Sequence, residues 1–151
     1  MTQLIWESVD PSCFREKVAD FYAEEFGRIL PEMKRKDWIR WKHFLLWSVG
    51  SERALVGWHF GKSAGPDRFY LANTCILPAF RGQGIYQAAM PLLFRKLQKL
   101  GFRTVVSRHL AKNWTILHLK QKQGFRKTRE DQPTAGGLGT EWSLALTESS
   151  R

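Results

Sequence analysis

The 151-residue chain has only two cysteines, Cys13 and Cys75. One falls in a helical pattern and the other in a strand-like one, so free thiols in a reducing compartment are expected rather than a disulfide framework. No run approaches the ~20 apolar residues that a membrane span requires. Met1-Thr2-Gln3-Leu4 shows no basic region leading into an apolar one, so no signal peptide and a cytoplasmic location are expected. His43, His59, His109 and His118 lie at no metal-ligand spacing; each reads as a packed or surface histidine, and no metal is expected. One sign of charge is also missing over a long stretch. From Arg81 to Arg129 there is no Asp or Glu.

What remains is a chain that is 43% hydrophobic, with ten Phe and seven Trp. That supplies one sizeable core, and residues 1–151 read as one domain. The formal charge of +10 concentrates in the acid-free run. It fits a positive field around a ligand with several phosphates, a nucleic-acid face, or a solvated basic surface. No Arg-rich low-complexity tail or zinc-finger spacing supports nucleic acid, which is therefore not favoured.

Along the chain, Leu4 to Val9 reads as a strand. Asp10-Pro11 starts a helix that Gly27 closes, with Phe14, Val18, Phe21, Tyr22 and Phe26 at helical spacing. Pro31 to His43 is a second helical candidate, its Trp38 and Trp41 three residues apart on one face. A hairpin follows over Phe44–Val49 and Ala54–Phe60, then a central strand from Phe69 to Leu77. A helix runs from the next turn to Leu100, with Pro91 inside it. Arg103 to Ser107 is a strand, Asn113 to Gln123 a helix, and Phe125–Thr128 and Thr140–Leu146 the last strands, joined by a Gly-rich loop at Thr134–Gly139. Gly57-Trp58-His59-Phe60-Gly61-Lys62-Ser63 ends like a nucleotide P-loop but is one residue short and lies in a strand, so it reads as a strand end.

The most informative segment is Pro78-Ala79-Phe80-Arg81-Gly82-Gln83-Gly84-Ile85-Tyr86. A strand passing through a short glycine turn into a helix offers backbone N–H groups at the helix N-terminus, and glycines let an anion approach them. The order resembles the pyrophosphate loop of the GNAT superfamily of acyl-CoA-dependent N-acyltransferases, Gln/Arg-x-x-Gly-x-Gly/Ala. Arg81 and Gly84 match, and Tyr86 departs from the usual small residue. A second block, Asn113 to Phe125, resembles the family's Asn-x-x-Ala-hydrophobic-x-Leu-Tyr-x-Lys-x-Gly-Phe. There Asn113, Leu117, Leu119, Lys122, Gly124 and Phe125 match in register.

The resemblance implies an α/β (mixed α+β) fold: a splayed, mixed sheet of about seven strands flanked by about four helices. It implies acetyl-CoA as co-substrate and direct attack by an uncharged primary amine, small molecule or peptide, with a backbone N–H meeting the developing oxyanion. Ile76 and Leu77 are expected to offer main-chain contacts to the pantetheine arm. Gly82, Gln83, Gly84, Ile85 and Tyr86 are expected to hold the diphosphate. Arg81 adds charge there or braces the turn. Asn113 contacts the pantetheine amides, caps the helix, or does both. Lys120 stands where the family often has its proton-donating Tyr; it serves as the acid or is a solvated helix-end lysine, with His118, Tyr86 and Tyr70 as unranked substitutes. The central strand lacks the carboxylate base of many relatives, and Asn73 either orients a water or satisfies a strand edge. Tyr22, Trp38 and Trp41 line an acceptor pocket favouring an apolar or aromatic amine, or pack the helices onto the sheet. An aminoacyl-tRNA acceptor and a catalytically silent acyl-CoA-binding module are the alternatives, and a homodimer is compatible with either.

Overall fold

In the computed structural model, which describes residues 2–110, 112–134 and 136–146, Asp10 starts the first helix as its side chain predicts. Its carboxylate accepts a hydrogen bond from the Cys13 N–H at 2.7 Å. Pro11 takes the first helical position, and Gly27 ends helix α1 (Pro11–Phe26) in the left-handed conformation, φ 65°. Phe14, Val18 and Tyr22 of α1 are buried with Leu45, Trp58, Cys75 and Leu77 in one apolar cluster.

The chain forms two compact units, Met1–Lys62 with Ala72–Leu93, and Ser63–Leu71 with Phe94–Arg151. In the first, β1 (Gln3–Val9) pairs antiparallel with β2 (Trp41–Val49), from Gln3↔Val49 to Val9↔His43. Strand β2 pairs antiparallel with β3 (Arg53–Ser63), with an irregularity between Leu46 and Trp47. Two elements contribute to both units: strand β4 (Arg68–Ile76) and helix α2 (Ile85–Lys99), which runs through the exposed Pro91.

In the second unit, Arg68–Tyr70 of β4 pair in parallel with Thr104–Val106 of β5 (Thr104–His109). Strand β5 pairs antiparallel with β7 (Gly137–Ala145), which pairs antiparallel with β6 (Arg126–Thr134). Helix α3 (Trp114–Lys122) connects β5 to β6. Edge-on aromatic pairing of Phe69 with Phe102, ring centroids 5.0 Å apart, marks this unit's core. The strand order is β1-β2-β3-β4-β5-β7-β6, a mixed seven-stranded sheet. Among the described residues no helix is long and apolar enough to cross a membrane.

Two expectations change. The helical candidate at Pro31–His43 is a single 3-10 turn, Arg35–Asp37, followed after three turn residues by β2. Pairing Trp41, Lys42 and His43 with Lys62, Gly61 and Phe60 satisfies their backbone in the sheet, and this outweighs the three-residue Trp spacing. The chain therefore has three α-helices and two 3-10 turns among the described residues. The Gly-rich loop at Thr134–Gly139 is mostly strand, because Thr134 pairs with Gly137 and Gln132 with Gly139. The P-loop look-alike is strand β3, and a Cβ on Gly57 would lie 2.3 Å from the Cys75 carbonyl oxygen. Glycine stands there because the adjacent backbone comes too close for any side chain.

Candidate active site

Between the 3-10 turn Pro78–Phe80 and the start of α2, Gly82 and Gly84 both take φ +75°. Nothing lies within 4 Å of where a Cβ would project from either. Arg81 to Gly84 are exposed, and Ile85 and Tyr86 half-buried. The first N–H groups of a helix have no partner inside it, and left-handed residues beside it turn successive N–H groups toward one concavity. No acidic side chain stands in this first turn of α2. The result is an open, electropositive cradle whose glycines leave room for a bulky anion.

Arg81 is engaged in holding that turn. Its Nε donates to the Ile76 carbonyl oxygen at 2.9 Å, and its guanidinium pairs with Glu25 of α1. The Leu77 N–H donates to the Val56 carbonyl at 2.8 Å, and the Leu77 carbonyl accepts from Phe80 N–H at 2.9 Å. Of the two roles expected for Arg81, these bonds favour bracing. They also engage the Ile76 carbonyl and the Leu77 N–H, within the main chain expected to offer contacts to a pantetheine arm.

The first unit also holds a cavity of about 460 Å³, lined by Tyr22, Trp38 and Trp41 together with Phe14, His43, Phe60 and Asn73. The rings pack on each other as well: Trp41 and Phe60 centroids are 6.1 Å apart, and His43 stacks on Phe60 at 5.9 Å. Asn73 is oriented by Trp58, whose indole N–H donates to its Oδ1 at 2.8 Å. An indole can only donate, so the amide nitrogen of Asn73 is the group left for an occupant of the cavity. His43 is 6% exposed, and burial pushes its pKa down to about 4, so the ring is neutral at pH 7. Its buried Nδ1 has no hydrogen-bond partner among the described residues.

The second unit carries the other block. Asn113 precedes α3 at the N-cap position, exposed and without a side-chain capping bond. Of the two roles expected for it, capping by the side chain is not made. Lys120 is buried at 3% exposure, which corrects the expectation of a solvated helix-end lysine. Its Nζ lies 4.7 Å from the centre of the Phe125 ring, where the chain turns back after α3. Burial lowers its pKa to about 8. His109 is lowered to about 4, first by burial and then by the charge of Lys120, and its Nε2 is hydrogen-bonded to Ser107 Oγ. Of the substitute acids, His118 is exposed. Tyr70 packs under Arg108, 5.6 Å from ring centre to guanidinium, and burial raises its pKa.

Part of the basic run is accounted for inside the second unit. The Glu141 carboxylate, 3% exposed, pairs with Arg68, Arg108 and Arg129 at 3.3–3.6 Å. Sequence reasoning missed this pairing because Glu141 lies outside the acid-free run. His43, read as a packed or surface histidine, is packed, and His109 is half-buried.

The acetyltransferase (GNAT) family model matches residues 12–125. Among solved structures, the ribosomal-protein-S18-alanine N-acetyltransferase from Escherichia coli is similar, with TM-score 0.68, 18% identity and coverage of 96% of this chain and 95% of that one. Spermidine N-acetyltransferase from Vibrio cholerae, in complex with CoA and spermine, has TM-score 0.69, 11% identity and coverage of 95% and 96%. An acetyltransferase from Thermus thermophilus has TM-score 0.65, 21% identity and coverage of 95% and 97%. At such identities these structures establish the fold alone. Among proteins of curated function, no significant sequence match is found.

Proposed function

Because the chain belongs to the acetyltransferase (GNAT) family, we propose that it transfers an acetyl group from acetyl-CoA to a primary amine bound at the same time. The amine nitrogen attacks the thioester carbonyl, an N–C bond forms and the C–S bond breaks. The nitrogen gives up one proton and the departing sulfur gains one, so the products are an acetamide and free CoA. The observation that carries this reading is the open turn at Gly82 and Gly84. A diphosphate needs several N–H donors converging on a space without side chains, and that turn offers both.

In this reading the N–H groups of Gly82, Gln83, Gly84, Ile85 and Tyr86 hold the diphosphate, and Arg81 keeps the turn in shape. The main chain at Ile76 and Leu77 borders the pantetheine arm. For Asn113, as a pantetheine contact, and for Lys120, as the acid that protonates the thiolate, the assignment rests on the motif. The burial of Lys120 supports it, since a lysine with a pKa near 8 gives up its proton near neutral pH. The aromatic cavity holds the acceptor, with Asn73 donating to it or to a water. Residues 1–151 act as one acetyltransferase domain.

The test is CoA binding to wild type and to Gly84→Glu, followed by calorimetry. Glutamate puts bulk and negative charge into the cradle, and CoA affinity is expected to fall at least a hundredfold. A folded Gly84→Glu chain that binds CoA as the wild type does refutes the site. Tight CoA binding with no thiol release on any amine points to a silent binding module.

A further inference from the structure

The wall chemistry of the 460 Å³ cavity narrows the acceptor, on the premise that the acyl-transfer reading holds. We propose that the acceptor is an aromatic amino acid or a close relative: a flat apolar body carrying a primary amine and a carboxylate or carbonyl oxygen. Two observations converge on that class.

The first is shape and polarity. Phe14, Tyr22, Trp38, Trp41 and Phe60 supply ring faces and edges around a volume in the range of small-molecule pockets. A planar apolar group gains from contact with such rings, whereas a flexible polyamine must shed water from several ammonium groups to enter.

The second is the sign of the polar groups. Arg15 and Arg28 line the cavity against one carboxylate, the exposed Glu32. Asn73 adds N–H donors, because its oxygen is held by Trp58. Donors in excess call for an occupant with accepting oxygens, and two arginines favour an anionic one. A polycation meets the opposite of what it needs.

The experiment measures thiol release from acetyl-CoA by the full chain with L-tryptophan, L-phenylalanine, tryptamine, spermidine and an alanine-initiated peptide. L-Tryptophan or L-phenylalanine is expected to show kcat/KM at least tenfold above tryptamine, which lacks the carboxylate, and above spermidine. Asn73→Asp keeps an oxygen for Trp58 but replaces the N–H donors by an acceptor. It is expected to lower kcat/KM for the amino acid about tenfold or more while changing tryptamine less. Arg28→Gln, at an exposed position, is expected to shrink the preference for the amino acid over tryptamine. Turnover that is best with spermidine or the peptide overturns this inference and leaves acyl transfer standing. So does CoA binding without turnover of either amino acid, or equal effects of both variants on all acceptors. Failure to bind CoA overturns the underlying reading instead.

Discussion

Lys120 sets two properties of the protein against each other. Its folded pKa of about 8 lies below the ordinary lysine value of 10.5, with burial as the cause. At pH 7 the group is charged in both folded and unfolded chains, so the fold carries the whole penalty of burying the ammonium. Between about pH 8 and 10.5 the unfolded chain binds more protons than the folded one, and the Lys120 contribution to stability rises with pH. Above that window both forms are neutral and the penalty is gone. A difference of 10.5 − 8 = 2.5 units at 1.36 kcal/mol each is about 3 kcal/mol. Lys120→Met keeps a long apolar stem against Phe125 and removes the charge. Some of the gain is lost to imperfect packing, so the variant is expected to be more stable at pH 7 by roughly 1–3 kcal/mol.

Urea unfolding of wild type and Lys120→Met at pH 6.5, 8 and 10 checks this, because the difference between the two chains cancels other groups that titrate. The gap is expected to be widest at the lowest pH and much narrower at pH 10, just below the ordinary lysine value of 10.5. A gap that is constant with pH, or a variant that is less stable at pH 6.5, refutes the burial argument. The same pair of proteins separates structure from chemistry. If Lys120 protonates the thiolate, wild-type kcat falls as pH rises through about 8. Lys120→Met then loses turnover at unchanged CoA affinity while gaining stability.

Two further outcomes concern the frame that positions the site. Gly57→Ala puts a Cβ against backbone, 2.3 Å from the Cys75 oxygen, where no flexible side chain can yield. It is expected to destabilise by about 1–3 kcal/mol or more, read from the denaturant midpoint, and wild-type stability contradicts the close approach of the two strands. Asp10→Ala removes the acceptor for the Cys13 N–H at the start of α1 and is expected to cost about 1 kcal/mol. A change within about 0.3 kcal/mol would mean that solvent replaces the cap without loss.

The features read correctly from sequence are those decided within a few residues. Asp10 capping α1 and Gly27 ending it depend on bonds spanning three or four positions, and the amino acids at those positions have few other uses. The turn at Gly82 and Gly84 is of the same kind, since its positive φ values are open to glycine and costly to almost anything else. Charge and burial at the candidate site follow a different rule. Lys120 lies in the last turn of a short helix, where a lysine is normally solvated, and its burial comes with Phe125, placed back against it after Gly124 turns the chain at φ +93°. His43 lies in a segment whose local spacing reads as helix, and its burial against Phe14 and Phe60 comes from pairing with β3. Phe14 and Phe60 lie far from His43 in the chain, and the Lys120–Phe125 contact depends on how the chain turns at Gly124. Gly57 shows the converse, a glycine that looks like part of a phosphate loop in one dimension and is a strand contact in three. The glycine turn at Gly82 and Gly84 was thus legible in the sequence, because backbone geometry alone makes it. The lining of the aromatic cavity was not, because it is made by side chains that only the fold brings together.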